Sequence, residues 1–105
     1  MQRKRFSDFS HEETLEGEKL PISEILDEVI FIKAYRIIDS KAVKNKQCLV
    51  LQYELEDSSN LYVSFTNSVV LMRQIEEYAS ELPFETIIVK RSNYYTFTYL
   101  KEAFL

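Results

Sequence analysis

Glycine is nearly missing from this chain: one residue, Gly17, in 105. Average usage of about 7% would supply about seven. The shortage removes Gly-rich phosphate cradles, the dinucleotide fingerprint, the P-loop and the nucleophile elbow. Each of these needs glycine where the backbone turns tightly or approaches a ligand. Tryptophan is absent, and cysteine and histidine occur once each, as Cys48 and His11. A lone cysteine forms no internal disulfide; it reads as a small buried hydrophobe in a reducing compartment. A lone histidine leaves no partner set for a zinc site or a histidine-based triad. The carboxylate pairs Glu54/Glu56 and Glu76/Glu77 read as solvated surface rather than as acid–base machinery. The expectation is a protein that is not an enzyme and needs no cofactor or metal. No apolar run approaches the roughly 20 residues of a membrane span, and Arg3-Lys4-Arg5 leads into no apolar signal core. A cytoplasmic protein with no membrane partner is expected.

What is present is a single domain's length of sequence, with 46% hydrophobic residues and a formal net charge of -4. The charge is unevenly spread. Residues 1–28 carry four basic and eight acidic groups; residues 29–105 carry nine of each. Within the latter, Lys33, Arg36, Lys41, Lys44 and Lys46 face Asp39 alone over positions 29–46. An acidic leader therefore precedes a body with a local basic stretch.

Periodicity divides the chain. Residues 1–19 are polar and aperiodic, which predicts a mobile acidic arm ahead of one domain over 20–105. Residues 20–26 suit a short helical turn behind Pro21. Residues 29–38 are β-branched and aromatic, as a strand requires. In 47–56, Leu49, Leu51, Tyr53 and Leu55 on one face alternate with Val50, Gln52, Glu54 and Glu56 on the other. After the turn residues Asp57 to Asn60, Leu61, Val63 and Phe65 alternate with Tyr62, Ser64 and Thr66, and the apolar set is expected to face inward. The period changes to three and four over 69–82, predicting a helix capped by Asn67 or Ser68 and stopped by Pro83. Residues 86–91 and 94–99 form a second hairpin. The order β-β-β-α-β-β matches a mainly β, five-stranded oligonucleotide/oligosaccharide-binding (OB-like) barrel with its helix between strands three and four. A curved five-stranded sheet with one helix across it is the rival arrangement.

The segments Leu82-Pro83-Phe84-Glu85-Thr86-Ile87-Ile88-Val89-Lys90, Tyr94-Tyr95-Thr96-Phe97 and Val63-Ser64-Phe65-Thr66-Asn67-Ser68 carry a resemblance. They resemble small proteins of bacterial viruses and mobile elements that are similar to single-stranded-DNA-binding barrels. The resemblance spans roughly residues 21–98. Asn67 stands where glycine is expected, and Asp27-Glu28 where Gly-Lys is expected. It implies single-stranded DNA as partner, in replication or recombination.

Single-strand binding needs cations for phosphates and exposed rings for bases. Alternation places Tyr62 on the outer side of its strand, making it the first stacking candidate, with Tyr35 and Tyr94 next. Phe65 is assigned to the core. Lys33, Arg36, Lys41, Lys44, Lys46, Lys90 and Arg91 supply the cations, and Glu54 and Glu56 oppose them. The other reading is a protein-interaction or self-associating module without nucleic acid, pairing through strand edges at 47–56 or 94–99 or docking its apolar tail Ala103-Phe104-Leu105. Finally, Asn45, Asn60, Asn67 and Asn93 stand at expected turns or caps, where asparagine is expected to take the positive-φ positions that glycine usually fills.

Overall fold

Alternating β-branched and aromatic residues carry the chain through five long strands. The computed structural model describes residues 15–40 and 46–98. Its elements are β1 (Glu18–Lys19), β2 (Val29–Asp39), β3 (Gln47–Leu55), β4 (Leu61–Thr66), α1 (Val69–Glu77), β5 (Phe84–Arg91) and β6 (Tyr94–Thr98). They form one six-stranded sheet in the order β1-β4-β3-β2-β5-β6. β1 runs parallel to β4, and every other pairing is antiparallel. The fold is mainly β, with its helix between the third and fourth long strands.

The sheet is open, as in the rival arrangement, and has six strands rather than five. Barrel closure would require β4 to pair with β6, the two ends of the five-strand order, and both of their free edges are occupied. β1 pairs with β4 through Glu18–Tyr62 and Lys19–Val63, and Leu20 N donates to Val63 O at 2.9 Å. On β6, Phe97 N donates to Gln74 Oε1 at 3.0 Å, while Gln74 Nε2 donates to Thr96 Oγ1 at 2.9 Å. Unpaired backbone edges are thus satisfied locally by a two-residue strand and one helix side chain. β1 lies inside the segment expected to be a mobile arm, and two residues are too few to show alternation. Residues 1–14 of that arm, with His11, lie outside the described residues, as do Asn45 and residues 99–105.

Ile30 and Ile32 of β2, Leu49, Leu51 and Tyr53 of β3, and Ile88 of β5 pack against Leu71, Met72 and Ile75 of α1. Between Ile32 and Ala34 the pairing with β3 shifts register at Lys33. The extra residue restores the core side to Tyr35 and Ile37. α1 is capped by Ser68, whose Oγ accepts from Leu71 N at 3.1 Å. It ends at Glu77, short of the expected 82, and a 3-10 turn over Ala79–Glu81 completes the descent to Pro83. The lead-in helix is likewise a 3-10 turn, Ile22–Glu24, which seats Ile22 and Ile25 in the core.

β4 faces the opposite way from its expected sense. Ser64 is fully buried on the core side, opposite Leu51, and Phe65 is 40% exposed. A hydrogen-bond relay holds this sense. Ser64 Oγ donates to Leu20 O at 2.7 Å, which leaves the buried Tyr53 hydroxyl to donate to Ser64 Oγ, also at 2.7 Å. A buried polar group with full partners costs little, whereas an unpartnered one costs about 1–3 kcal/mol.

Among the described residues, positive φ does not fall on asparagine. Asp27 (65°) and Ser92 (52°) are the positive-φ residues besides Gly17 (149°), so the described Asn60, Asn67 and Asn93 are ordinary turn residues. The lone glycine marks a close approach: a Cβ at Gly17 would lie 2.8 Å from the carbonyl carbon of Tyr62. Ser92→Gly is expected to raise thermal stability by up to about 1 kcal/mol and Asn93→Gly to lower it by about 0.5–1 kcal/mol. Melting curves in the reverse order contradict the turn geometry.

Ser64→Ala is expected to cost about 1–3 kcal/mol in urea unfolding, because Leu20 O and the Tyr53 hydroxyl lose their shared partner. Burial also raises the Tyr53 phenol above its ordinary value, partly offset by the Ser64 hydrogen bond. The unfolded chain therefore releases this proton first. The contribution is complete below the unfolded value of about 10 and is lost as pH rises through the folded one. Tyr53→Phe should show a shallower alkaline loss than the parent chain; equal slopes contradict the assignment.

Candidate nucleic-acid interface

The sheet curls until the end of β4 faces the β5–β6 turn across a groove of about 620 Å³. One wall is Thr66, Asn67, Ser68, Val69 and Val70, where β4 hands over to α1; the other is Lys90, Ser92, Asn93, Tyr94 and Tyr95. The two-residue turn Ser92–Asn93 sets Tyr94 opposite Arg91 and Tyr95 opposite Lys90. Tyr94 is 45% exposed and Val69 on the facing wall 72% exposed. α1 begins in this groove with no acidic residue in its first turn, so the positive end of the helix dipole is not neutralised there.

Charge distinguishes this groove from three others on the described surface. One of about 390 Å³ includes Glu81 and Glu85, one of about 590 Å³ includes Glu54, Glu56, Asp57 and Glu85, and one of about 980 Å³ includes Glu76 and Glu77. Among the described residues, the groove at the start of α1 has no carboxylate in its lining, and it carries Lys90. It shares Asn67 and Val69 with the groove of about 980 Å³, where Lys46 and Arg73 lie beside the two glutamates.

The expected site residues therefore separate into groups. Lys90 and Tyr94 line the acid-free groove, Arg91 is exposed beside it in the chain, and Lys46 lines its neighbour. Lys33 belongs to the outer face of the sheet, with Nζ 3.7 Å from Glu54 Oε1 and 5.3 Å from the Phe31 ring centre. Arg36 is exposed on that face in a cross-strand row with Val50 and Phe65, and its Nη1 donates to Tyr35 O at 3.0 Å. Tyr35 is half-buried against the core. Lys41 and Lys44 lie outside the described residues.

Tyr62 is corrected from an outward stacking platform to a half-buried core ring. It pairs across the strands with Tyr53, and their rings stack with centres 6.1 Å apart at 24°. The outward ring of β4 is Phe65, with Lys19 Nζ 4.6 Å from its centre. Alternation alone assigned Phe65 inward because it shares a parity with Leu61 and Val63. The signal for the opposite sense was Ser64, which an inward Tyr53 can satisfy. Cys48 is half-buried; desolvation pushes its thiol up, against smaller opposing effects of the Thr66 backbone and Lys19, so it is a protonated thiol at neutral pH. Among the described residues no group of three His, Cys, Asp or Glu is placed to hold a metal ion, and no helix is long and apolar enough to cross a membrane.

The chain belongs to a family described as Domain of unknown function (DUF8468), which matches residues 16–98. No curated protein and no solved structure matches it.

The two rings of β4 give a direct check on its facing. Tyr62→Ala is expected to cost about 2 kcal/mol or more in urea unfolding and Phe65→Ala less than about 1 kcal/mol. The opposite order contradicts the inward placement of Tyr62.

Proposed function

We propose that this member of the DUF8468 family is a non-enzymatic single-stranded nucleic-acid-binding domain whose ligand lies in the groove between the start of α1 and the β5–β6 turn. One observation carries the reading: in a chain of net charge -4, this groove has no carboxylate among the described residues that line it and presents Lys90 beside the exposed Tyr94. A base stacks on Tyr94, an interaction worth about 1–3 kcal/mol per base. Lys90 and Arg91 meet flanking phosphates, and the start of α1 adds a favourable dipole. Asn67, Ser92 and Asn93 offer hydrogen-bonding groups without net charge, which suits a ligand read mainly by backbone and ring. Lys46 extends the cationic track into the neighbouring groove.

Strand order supports the same reading at the level of fold. β4 and β6 stand at the two ends of the five long strands, and the groove lies between Thr66 of one and Tyr94 of the other. In this reading the groove corresponds to the seam of an OB-like barrel left open, and the ligand lies beside the edges that pairing would have joined.

Fluorescence anisotropy with a labelled oligothymidylate of about a dozen nucleotides tests this. Binding is expected at low salt and weakens steeply as salt rises. Tyr94→Ala should weaken it at least about fivefold, and the pair Lys90→Glu and Arg91→Glu at least about tenfold. Lys33→Ala, on the other face, should change it less than about twofold. Absence of binding at tens of micromolar protein and low salt overturns the proposal.

A further inference from the structure

α1 has two ends, and its C-terminal end opens on a groove of opposite character. This groove, of about 390 Å³, is walled by the aromatic rings of Tyr78, Phe84 and Phe97 and carries Glu81 and Glu85. Both carboxylates are exposed, and neither has an ion-pair partner among the described residues. The last turn of α1 holds no basic residue, so the negative end of the helix dipole is also unopposed. Two carboxylates and a helix C-terminus around aromatic walls select a cation on an apolar stem. The stem and an adjacent ring fill the apolar walls, while the charged head stays at the carboxylates and over the ring faces.

We propose that this groove receives the Arg3-Lys4-Arg5-Phe6 segment of a second copy of the chain, joining copies head to tail. The segment is the densest run of cations in the sequence and places an aromatic ring next to them. Its charge complements Glu81 and Glu85, and Phe6 matches the ring-lined walls. The described chain begins at one edge of the sheet and the groove lies at the other. The N-terminal chain joins at the β1 edge, where Gln52 Nε2 donates to Glu16 O at 3.0 Å, whereas Phe97 and Thr98 of the groove belong to β6 at the other edge. A contact between two different surfaces of one chain is heterologous and propagates as an open row of copies unless its rotation closes a ring. The inference stands whether or not nucleic acid binds in the other groove.

Sedimentation velocity of the full chain at low salt, over a range of concentrations, tests it. The parent chain should show a mass that rises with concentration and falls back to monomer at high salt. Glu81→Lys with Glu85→Lys should be monomeric throughout, as should Arg3→Glu with Lys4→Glu and Arg5→Glu. Mixing the two variants should restore association, because each then meets a groove of opposite charge. A monomeric parent chain, association that survives either charge reversal, or loss without rescue in the mixture overturns the proposal.

Discussion

The fold depends on one buried hydroxyl relay. Tyr53 and Ser64 share a proton-donor chain that ends on Leu20 O, and it ties β3, β4 and the segment after β1 together at a single point. With Ser64 held inward, Tyr62 and Thr66 take the core side of β4, and Phe65 must face out. The chain on both sides of β1 lies against β4: Leu20 N donates to Val63 O, and a Cβ at position 17 would lie 2.8 Å from the Tyr62 carbonyl carbon. That segment occupies the edge of β4 that a closed barrel would use. A hydrogen-bond pattern inside the core thus decides whether the sheet closes and what faces solvent.

The open seam and the single helix then divide the surface electrostatically. α1 spans from the end of β4 toward the start of β5, with its positive end in a groove whose described lining lacks carboxylates and its negative end in one carrying Glu81 and Glu85. Net charge alone would argue against an anionic ligand. Its arrangement argues otherwise, because Lys90, Arg91 and the helix start lie together where the described lining holds no acid. Local potential in a groove, rather than the total charge, sets the preference of such a surface.

Much of this was readable from residues. The change of period at residue 69 located α1, Ser68 was among the two expected caps, and the alternation of 47–56 correctly placed Leu49, Leu51 and Tyr53 inside. The parity of β4 was not readable, because Leu61, Val63 and Phe65 outweigh Ser64 in any apolar pattern, and a serine becomes a core residue only when its partner is known. The pairing of Glu18–Lys19 was hidden for a related reason: two residues have no period. Sequence spacing brought Lys90 and Tyr94 forward as site residues, but it could not separate them from Lys33, which the bulge in β2 directs toward Glu54. Positive φ at Ser92 rather than Asn93 shows the same limit, since turn composition identifies a turn without fixing which residue bears the strain.

The account rests on the acid-free seam being the ligand site, and amide chemical-shift mapping during titration with oligothymidylate addresses that at residue resolution. The predicted result is a contiguous set of shifts at Asn67 to Val70 and at Lys90 to Tyr95, with the carboxylate-lined groove around Glu54, Asp57 and Glu85 unmoved. Shifts centred on the outer face at Lys33 and Arg36, with the seam silent, would contradict it.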